Sequence, residues 1–360
     1  MEKTHGLSLD FIIHPGETIR EVLKDRNMSQ EELAIRTGFS AKHISEVVNG
    51  KKGISPAFAK SLEYVFGMPM SFWINLQSLY DEQILEVKEQ EEIDEREVKI
   101  VKKLNNLIDY ATENEIMDKS NDNISRIIKL RNLCNVNNLT YISELVTNQV
   151  SFRKSKTIDI DSYVLYVWLR ICELMGKKEN ISNKYDEQKL YNSLDEIKKC
   201  MFLDINEAIE KLKNIFAQCG VAFQIVKNFP GAPVQGLIEK YENKIILSMT
   251  IRRSFADEFW FTLFHEIGHL LNDDVEKNNY VDYEKSDSSN ELKADKFAGN
   301  SLINDEDFKE FIENENITEQ DVVNFAKKEK VQPFIVVGRL QKEKNNYTLF
   351  YKLKVRYKWE

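Results

Sequence analysis

The sequence predicts a mainly α protein with a small β-sheet, an α+β fold, on three observations. Capping signals and apolar spacing mark five successive helices between residues 14 and 80. Helical periodicity continues through residues 98–219. From Val221 the period changes, and short strand-like runs appear. At 360 residues the chain exceeds one typical core. The expected division is a five-helix unit over 1–80, an acidic helical middle over 81–150 and a second domain over 151–360. A hydrophobic content of 42% supplies enough apolar material for a sizeable core.

Residues 1–10 carry little signal and read as a short arm. Pro15-Gly16-Glu17 opens the first helix, with Ile19, Val22 and Leu23 on its buried face. Ser29 suits the N-cap of the second, with Glu32 three residues on as its capping-box partner. Thr37-Gly38-Phe39 turns the chain, and Ser40 caps a third helix ending at Asn49-Gly50. Ser55-Pro56 starts a fourth, with Pro at the first position. Pro69 starts a fifth carrying Phe72, Trp73, Leu76 and Tyr80.

Ala34, Gly38, Ile44 and Val47 stand where a helix-turn-helix needs a small residue at the crossing, a positive φ in the turn and two apolar contacts. The third helix then enters the major groove of double-stranded DNA. Ser40, Ala41, Lys42, Ser45, Glu46 and Asn49 face outward toward base edges, and Gln30, Lys51 and Lys52 suit phosphates. Residues 11–80 hold eight basic and seven acidic residues, so the electrostatic footprint is weak and the pattern carries the reading. A single module binds weakly, which predicts a homodimer on a palindromic operator.

Net charge is -9, and residues 81–97 account for most of it with nine acidic and two basic residues. A helical rhythm through Ile84, Val87 and Glu91 makes this run a solvated helical linker. Single helices are expected over 98–117, 124–146, 161–176 and 204–219, with Trp168 in a core and Arg170 on the surface. Ser151-Phe152-Arg153 leads into the third of these. Three short strands follow over 221–225, 234–239 and 245–247, with a hairpin turn at Tyr241-Glu242-Asn243. Such a sheet offers an edge on which an extended peptide can be laid.

Phe255 to Asp273 reads FADEFWFTLFHEIGHLLND, with Trp260, Phe264, Ile267 and Leu271 on one helical face. His265 and His269, at i and i+4, place two imidazoles one above the other, the H-E-x-x-H pattern of a Zn2+ site. Glu266 stands where a peptidase needs its general base. Downstream, NELKAD supplies Glu291 as third ligand and Asp295 as partner to a ligating histidine's free nitrogen. Glu284 and Asp282 are the alternatives to Glu291. Two histidines a turn apart on a buried helix is the plain alternative for the motif, but the chain has only 5 histidines. Arg252-Arg253 face solvent or substrate, and Tyr280 and Tyr283 are weaker candidates for oxyanion stabilisation. Helices over 291–302, 305–314 and 318–329 lead to a closing tail that packs Phe334, Ile335, Val336, Leu340, Leu349, Tyr351, Leu353 and Trp359.

Cys134, Cys172, Cys200 and Cys219 show no C-x-x-C spacing and read as reduced thiols of a cytoplasmic protein. No signal-peptide pattern and no run of 18 apolar residues is found, so no membrane partner is expected.

Residues 14–81, from HPGETIREVLKDRNMSQEELAIRTGF to FW-x-NLQ-x-x-YD, closely resemble the HigA-type antidote branch of the Xre-like regulators. The resemblance implies repression of the chain's own operon and, in many relatives, neutralisation of a partner toxin. HEIGHLL with NELKADKFA resembles the ImmA/IrrE metallopeptidases, and the likeness covers about 151–359. It implies His265, His269 and Glu291 as metal ligands, Glu266 as base and a repressor as target. Lys293 departs from a frequent second Glu, and Ser301-Leu302-Ile303-Asn304 from a Leu-Leu-Met-Pro-like ending. The expected function is a DNA-binding regulator with a zinc-dependent endopeptidase domain, cleaving a regulatory protein of a mobile element, stress response or toxin–antitoxin system. The alternative is an antitoxin-like autorepressor whose zinc domain is a scaffold or sensor.

Overall fold

The structure is a computed structural model that describes residues 9–149, 160–251, 254–272, 280–282, 289–314 and 316–357. Two compact units divide the chain, Met1–Val98 and Lys99–Glu360.

The first unit holds helices α1 (Pro15–Asp25), α2 (Gln30–Thr37), α3 (Ala41–Val48), α4 (Pro56–Phe66) and α5 (Met70–Glu91). The first N–H groups of a helix have no partner within it, so a side-chain acceptor fixes where it begins. His14 Nδ1 and the hydroxyls of Ser29, Ser40 and Ser55 accept from the N–H groups of Gly16, Glu32, His43 and Phe58. The expected capping box at Ser29 is half formed. Glu32 turns its carboxylate to Arg36 one turn later, 2.8 Å away, because a guanidinium is a charged donor and the Ser29 N–H is not. Gly38 ends α2 at φ 76°, a conformation that a Cβ disfavours. Ile19, Leu33, Ile44, Val47, Phe58, Leu62 and Trp73 are fully buried in one core. Helix α5 runs on to Glu91, so most of the acidic run is helical.

Helix α6 (Glu95–Lys103) leads into the second unit, followed by α7 (Asn105–Glu113), α8 (Asn123–Cys134), α9 (Ile142–Gln149) and α10 (Ser162–Lys178). Two expected helices are each broken in two. At Leu104 the N–H is shared between the carbonyls of Ile100 and Val101, which tightens the turn. Asn135, left-handed at φ 54°, ends α8, and Asn138 restarts the chain by accepting from the Thr140 N–H. Arg170 is not a solvated surface residue. Its Nε donates to Leu133 O at the end of α8, where a cation meets the negative end of the helix, and it pairs with Glu173. Trp168 is fully buried, as expected, and donates to Lys227 O. Ser151-Phe152-Arg153 and Arg252-Arg253 lie outside the described residues.

Helices α11 (Glu187–Asn192) and α12 (Leu194–Lys199), absent from the sequence expectation, precede α13 (Ile205–Gln218). Strands β1 (Val221–Ile225), β2 (Gly236–Tyr241) and β3 (Lys244–Met249) follow, then α14 (Ala256–Leu271) and a short β4 (Tyr280–Asp282). Among the described residues the sheet therefore has four strands, one more than expected, in the order β1-β3-β2-β4. β1 is parallel to β3, whereas β2 is antiparallel to both β3 and β4. β4 pairs Leu237 with Val281, and a three-residue strand is too short to show alternation. Val221, Phe223, Ile238 and Leu247 share a core with Phe216 of α13 and Trp260, Phe264 and Ile267 of α14. Gln224 donates to Cys172 O of α10 on the opposite face, so helices cover both sides of the sheet.

Helices α15 (Ser289–Leu302), α16 (Asp305–Ile312), α17 (Glu319–Lys328) and α18 (Pro333–Glu343) complete the unit. Beyond α18 the tail returns to the start of α14. Tyr357 N donates to Ser254 O and Ala256 N to Val355 O, while Trp260 Nε1 donates to the Tyr357 hydroxyl at 2.8 Å. Lys354 pairs with Asp257, both nearly buried. Tyr351, expected to pack, is exposed because its ring lies edge-on against Phe255 at the rim. Trp359 lies outside the described residues.

Candidate metal centre and helix-turn-helix face

Helix α14 begins inside the core and stays there, since Trp260, Leu263, Phe264 and Ile267 all bury against the sheet and its neighbours. This fixes the rotation of the helix and turns His265, Glu266 and His269 to the side facing α15 and β2. Relative exposures of 6%, 0% and 0% for these three, and 8% for Glu291, show a polar cluster held away from solvent. Burial of that kind is costly unless the groups have partners. Gly268 is part of the reason α15 comes so close. A Cβ there would stand 3.1 Å from the Cα of Ala294, so the helix–helix spacing is set by its absence.

The two Nε2 atoms of His265 and His269 are 3.0 Å apart. Glu291 places Oε2 3.3 Å from the first and Oε1 3.8 Å from the second. One ligand atom from each of the three residues fits within a 4.8 Å span. Metal bonds of about 2.0–2.1 Å at tetrahedral angles put ligand atoms about 3.3 Å apart, so the spacing suits a single ion. Asp295, one turn beyond Glu291, accepts from His265 Nδ1 at 2.9 Å. That bond holds the proton on Nδ1 and leaves the Nε2 lone pair directed at Glu291 and His269. The side chains of Asp282, Tyr280, Tyr283 and Glu284 lie outside the described residues.

In the first unit, Ala34, Ile44 and Val47 are buried at the crossing of α2 and α3. Ala41, Lys42, Lys51 and Lys52 are exposed, while Gln30, Ser45 and Glu46 are half-buried. Ser40 is exposed too, but its hydroxyl accepts the His43 N–H as helix cap. Asn49 donates to Ser45 Oγ, and Lys42 lies 3.8 Å from Glu46. Arg20, which the sequence reading passed over, binds Val48 O at 2.8 Å and reaches Asn49 Oδ1, fastening α1 to the end of α3. Burial lowers the pKa of His14, partly offset by Asp81 and Glu17. Burial also lowers that of His43, with Lys52 adding to the effect and Glu46 opposing it.

Two family models match the chain. Residues 19–73 match a helix-turn-helix domain, and residues 252–341 match a metallopeptidase-family domain described as IrrE N-terminal-like. Over 79 residues the chain is 37% identical to virulence-associated protein I of Dichelobacter nodosus, covering 22% of this chain and 73% of that protein. The chain belongs to the helix-turn-helix regulators, with an IrrE-like domain fused behind the head. An uncharacterised helix-turn-helix regulator of Escherichia coli, YddM, is 32% identical over 66 residues, covering 18% of this chain and 70% of its own. Among solved structures, the Pseudomonas aeruginosa antitoxin HigA with the higBA promoter is 33% identical at a TM-score of 0.22, covering 23% of this chain and 96% of that one. A Nostoc punctiforme plasmid-maintenance antidote protein is 34% identical at 0.22, covering 22% and 88%.

Both departures noted in the IrrE-like domain have a place in its structure. Lys293 is exposed. Asn304 donates its N–H to Glu329 at 2.9 Å and caps α16 through its side chain, a role that a proline at 304 has no N–H to fill. Among the described residues no helix is long and apolar enough to cross a membrane.

Proposed function

We propose that the chain is a DNA-binding regulator whose IrrE-like unit is a zinc-dependent endopeptidase acting on a regulatory protein. The observation that carries this reading is the convergence of His265, His269 and Glu291 at tetrahedral spacing, with Glu266 on the same buried helix face. Two imidazoles and one carboxylate leave a fourth position open, the donor set of catalytic zinc and not of a closed structural site. His265 and His269 would hold the ion through Nε2 and Glu291 through its carboxylate, while Asp295 keeps His265 in the ligating tautomer. Zinc bound there supplies Lewis-acid polarisation of a peptide carbonyl. Glu266 takes the proton of the attacking water and passes it to the departing amine. Enclosure by α14, α15 and β2 keeps bulk water away and strengthens each of these charges. In the head, α3 lies in the major groove with Ala41, Lys42, Ser45, Glu46 and Asn49 toward base edges. Ser40 at the start of that helix faces the same edges, and Gln30, Lys51 and Lys52 hold the backbone. Two copies on a palindrome supply the affinity that one module lacks.

The test is incubation of the purified chain with proteins encoded beside it, against Glu266→Gln. Cleavage by the wild type, lost in the variant at unchanged zinc content, is the expected result. Cleavage that persists in the variant refutes the mechanism. Operator binding with no cleavage of any neighbour makes the metal unit a scaffold or sensor instead.

A further inference from the structure

Strand β2 begins on a glycine, and its backbone conformation does not require one, because the φ of Gly236 is not positive. The reason lies in what it faces. A Cβ at Gly236 would stand 1.9 Å from Glu266 Oε1, 2.4 Å from Cδ and 2.8 Å from Cγ. Ordinary contact begins near 3.4 Å. The carboxylate of Glu266 thus lies flat on the bare backbone at the head of β2, in the space where any other residue carries its side chain.

The backbone on this side is firmly held. Thr250 Oγ1 donates to Val234 O at 2.8 Å and Thr250 N to Gln235 O at 3.0 Å. Gly236 is paired with Met249 of β3 on one side and Asp282 of β4 on the other. The Gln235 side chain accepts from Thr262, one turn before Glu266 on the same face of α14. With strand and helix both fixed, an added methyl group displaces the one movable partner, the end of the Glu266 side chain. The three atoms nearest to that Cβ position all belong to Glu266, none to His265, His269 or Glu291.

We infer that Gly236 is the positioning residue for Glu266: its missing side chain sets where the carboxylate sits relative to the metal centre. A larger residue there separates the general base from the ion without disturbing the ligands. The inference rests on the reading of Glu266 as base given above.

The experiment uses the full chain loaded with cobalt(II), whose visible spectrum reports the open coordination position. Zinc affinity by competition and thermal unfolding are measured beside it. For Gly236→Ala the expected spectrum is shifted from wild type in the same direction as for Glu266→Gln. Zinc affinity should stay within about threefold of wild type, as for sites that do not couple. Combining Gly236→Ala with Glu266→Gln should add no further spectral shift, since both act through one carboxylate. Combining it with Glu266→Asp, which withdraws the carboxylate by one methylene, should relieve the overlap and restore the melting temperature of Glu266→Asp alone. A wild-type chain that binds neither metal overturns the metal reading and this inference with it. A metal-loaded Gly236→Ala with the wild-type spectrum overturns the inference alone. So does Gly236→Ala failing to fold while the Glu266→Asp combination fails equally, because the glycine is then answering to something other than Glu266.

Discussion

Lys354→Met tests whether the tail holds the start of α14. The side chains of Lys354 and Asp257 are 8% and 10% exposed, so the variant strands a carboxylate in a nearly dry site. Removing one partner of a buried pair costs about 3–5 kcal/mol. Asp257 lies in the first turn of α14, where the helix field offsets up to about 2 kcal/mol of that. The ammonium also stands 4.6 Å from the Phe255 ring centre, and losing this contact returns about 0.5–1 kcal/mol to the cost. A net loss of about 2–4 kcal/mol results, or about 4–16 °C in the melting temperature of a unit this size. Calorimetry of the full chain should show the second unit's transition falling by that amount and the head's unmoved. Adding Asp257→Asn should recover part of the loss, since the stranded charge is gone. A Lys354→Met transition within about 0.5 kcal/mol of wild type, the range of ordinary surface changes, would refute the reasoning.

Asp295→Asn should lower zinc affinity by about 10–100-fold, with ligands intact, as measured by competition with a chelator. Acid should weaken the head. His14 and His43 have pKa values lowered by burial, so the unfolded chain takes up protons first as pH falls through about 6.5, and stability present above that pH is lost below it. Urea unfolding followed by Trp73 fluorescence checks this. His14→Asn, which keeps an acceptor for the Gly16 N–H, should flatten the dependence. Lys42→Ala with Ser45→Ala should lower affinity for the upstream operator by about 1–3 kcal/mol per lost base contact and affect random DNA less, read by gel shift.

The head was legible because its determinants are local. A serine hydroxyl reaches three residues along the chain, and Gly38 needs only its own φ. The i, i+4 spacing of His265 and His269 is likewise contained within one helix turn, and the two lone pairs need only the helix to meet. What escaped was decided across the chain. Nothing near Tyr280 announces that its backbone will pair with Ile238. Asn135 and Asn138 looked like polar positions of one helix, whereas the first tolerates the left-handed conformation and the second restarts the chain. Gly236 was hidden for the same reason, since its requirement is a carboxylate thirty residues away.

The clasp joining Ser254 and Val355–Tyr357 has a consequence for how the protein is made. Strand β4, helix α15 and the tail residues that clasp the start of α14 all follow that helix in the chain, so a nascent polypeptide carries both imidazoles before these can enclose them. The head has its own core and leaves the ribosome first. At about 5–20 residues per second, the remaining chain takes on the order of ten seconds or more to appear. Each new copy therefore passes through an interval in which a finished helix-turn-helix head is joined to an unfinished second half.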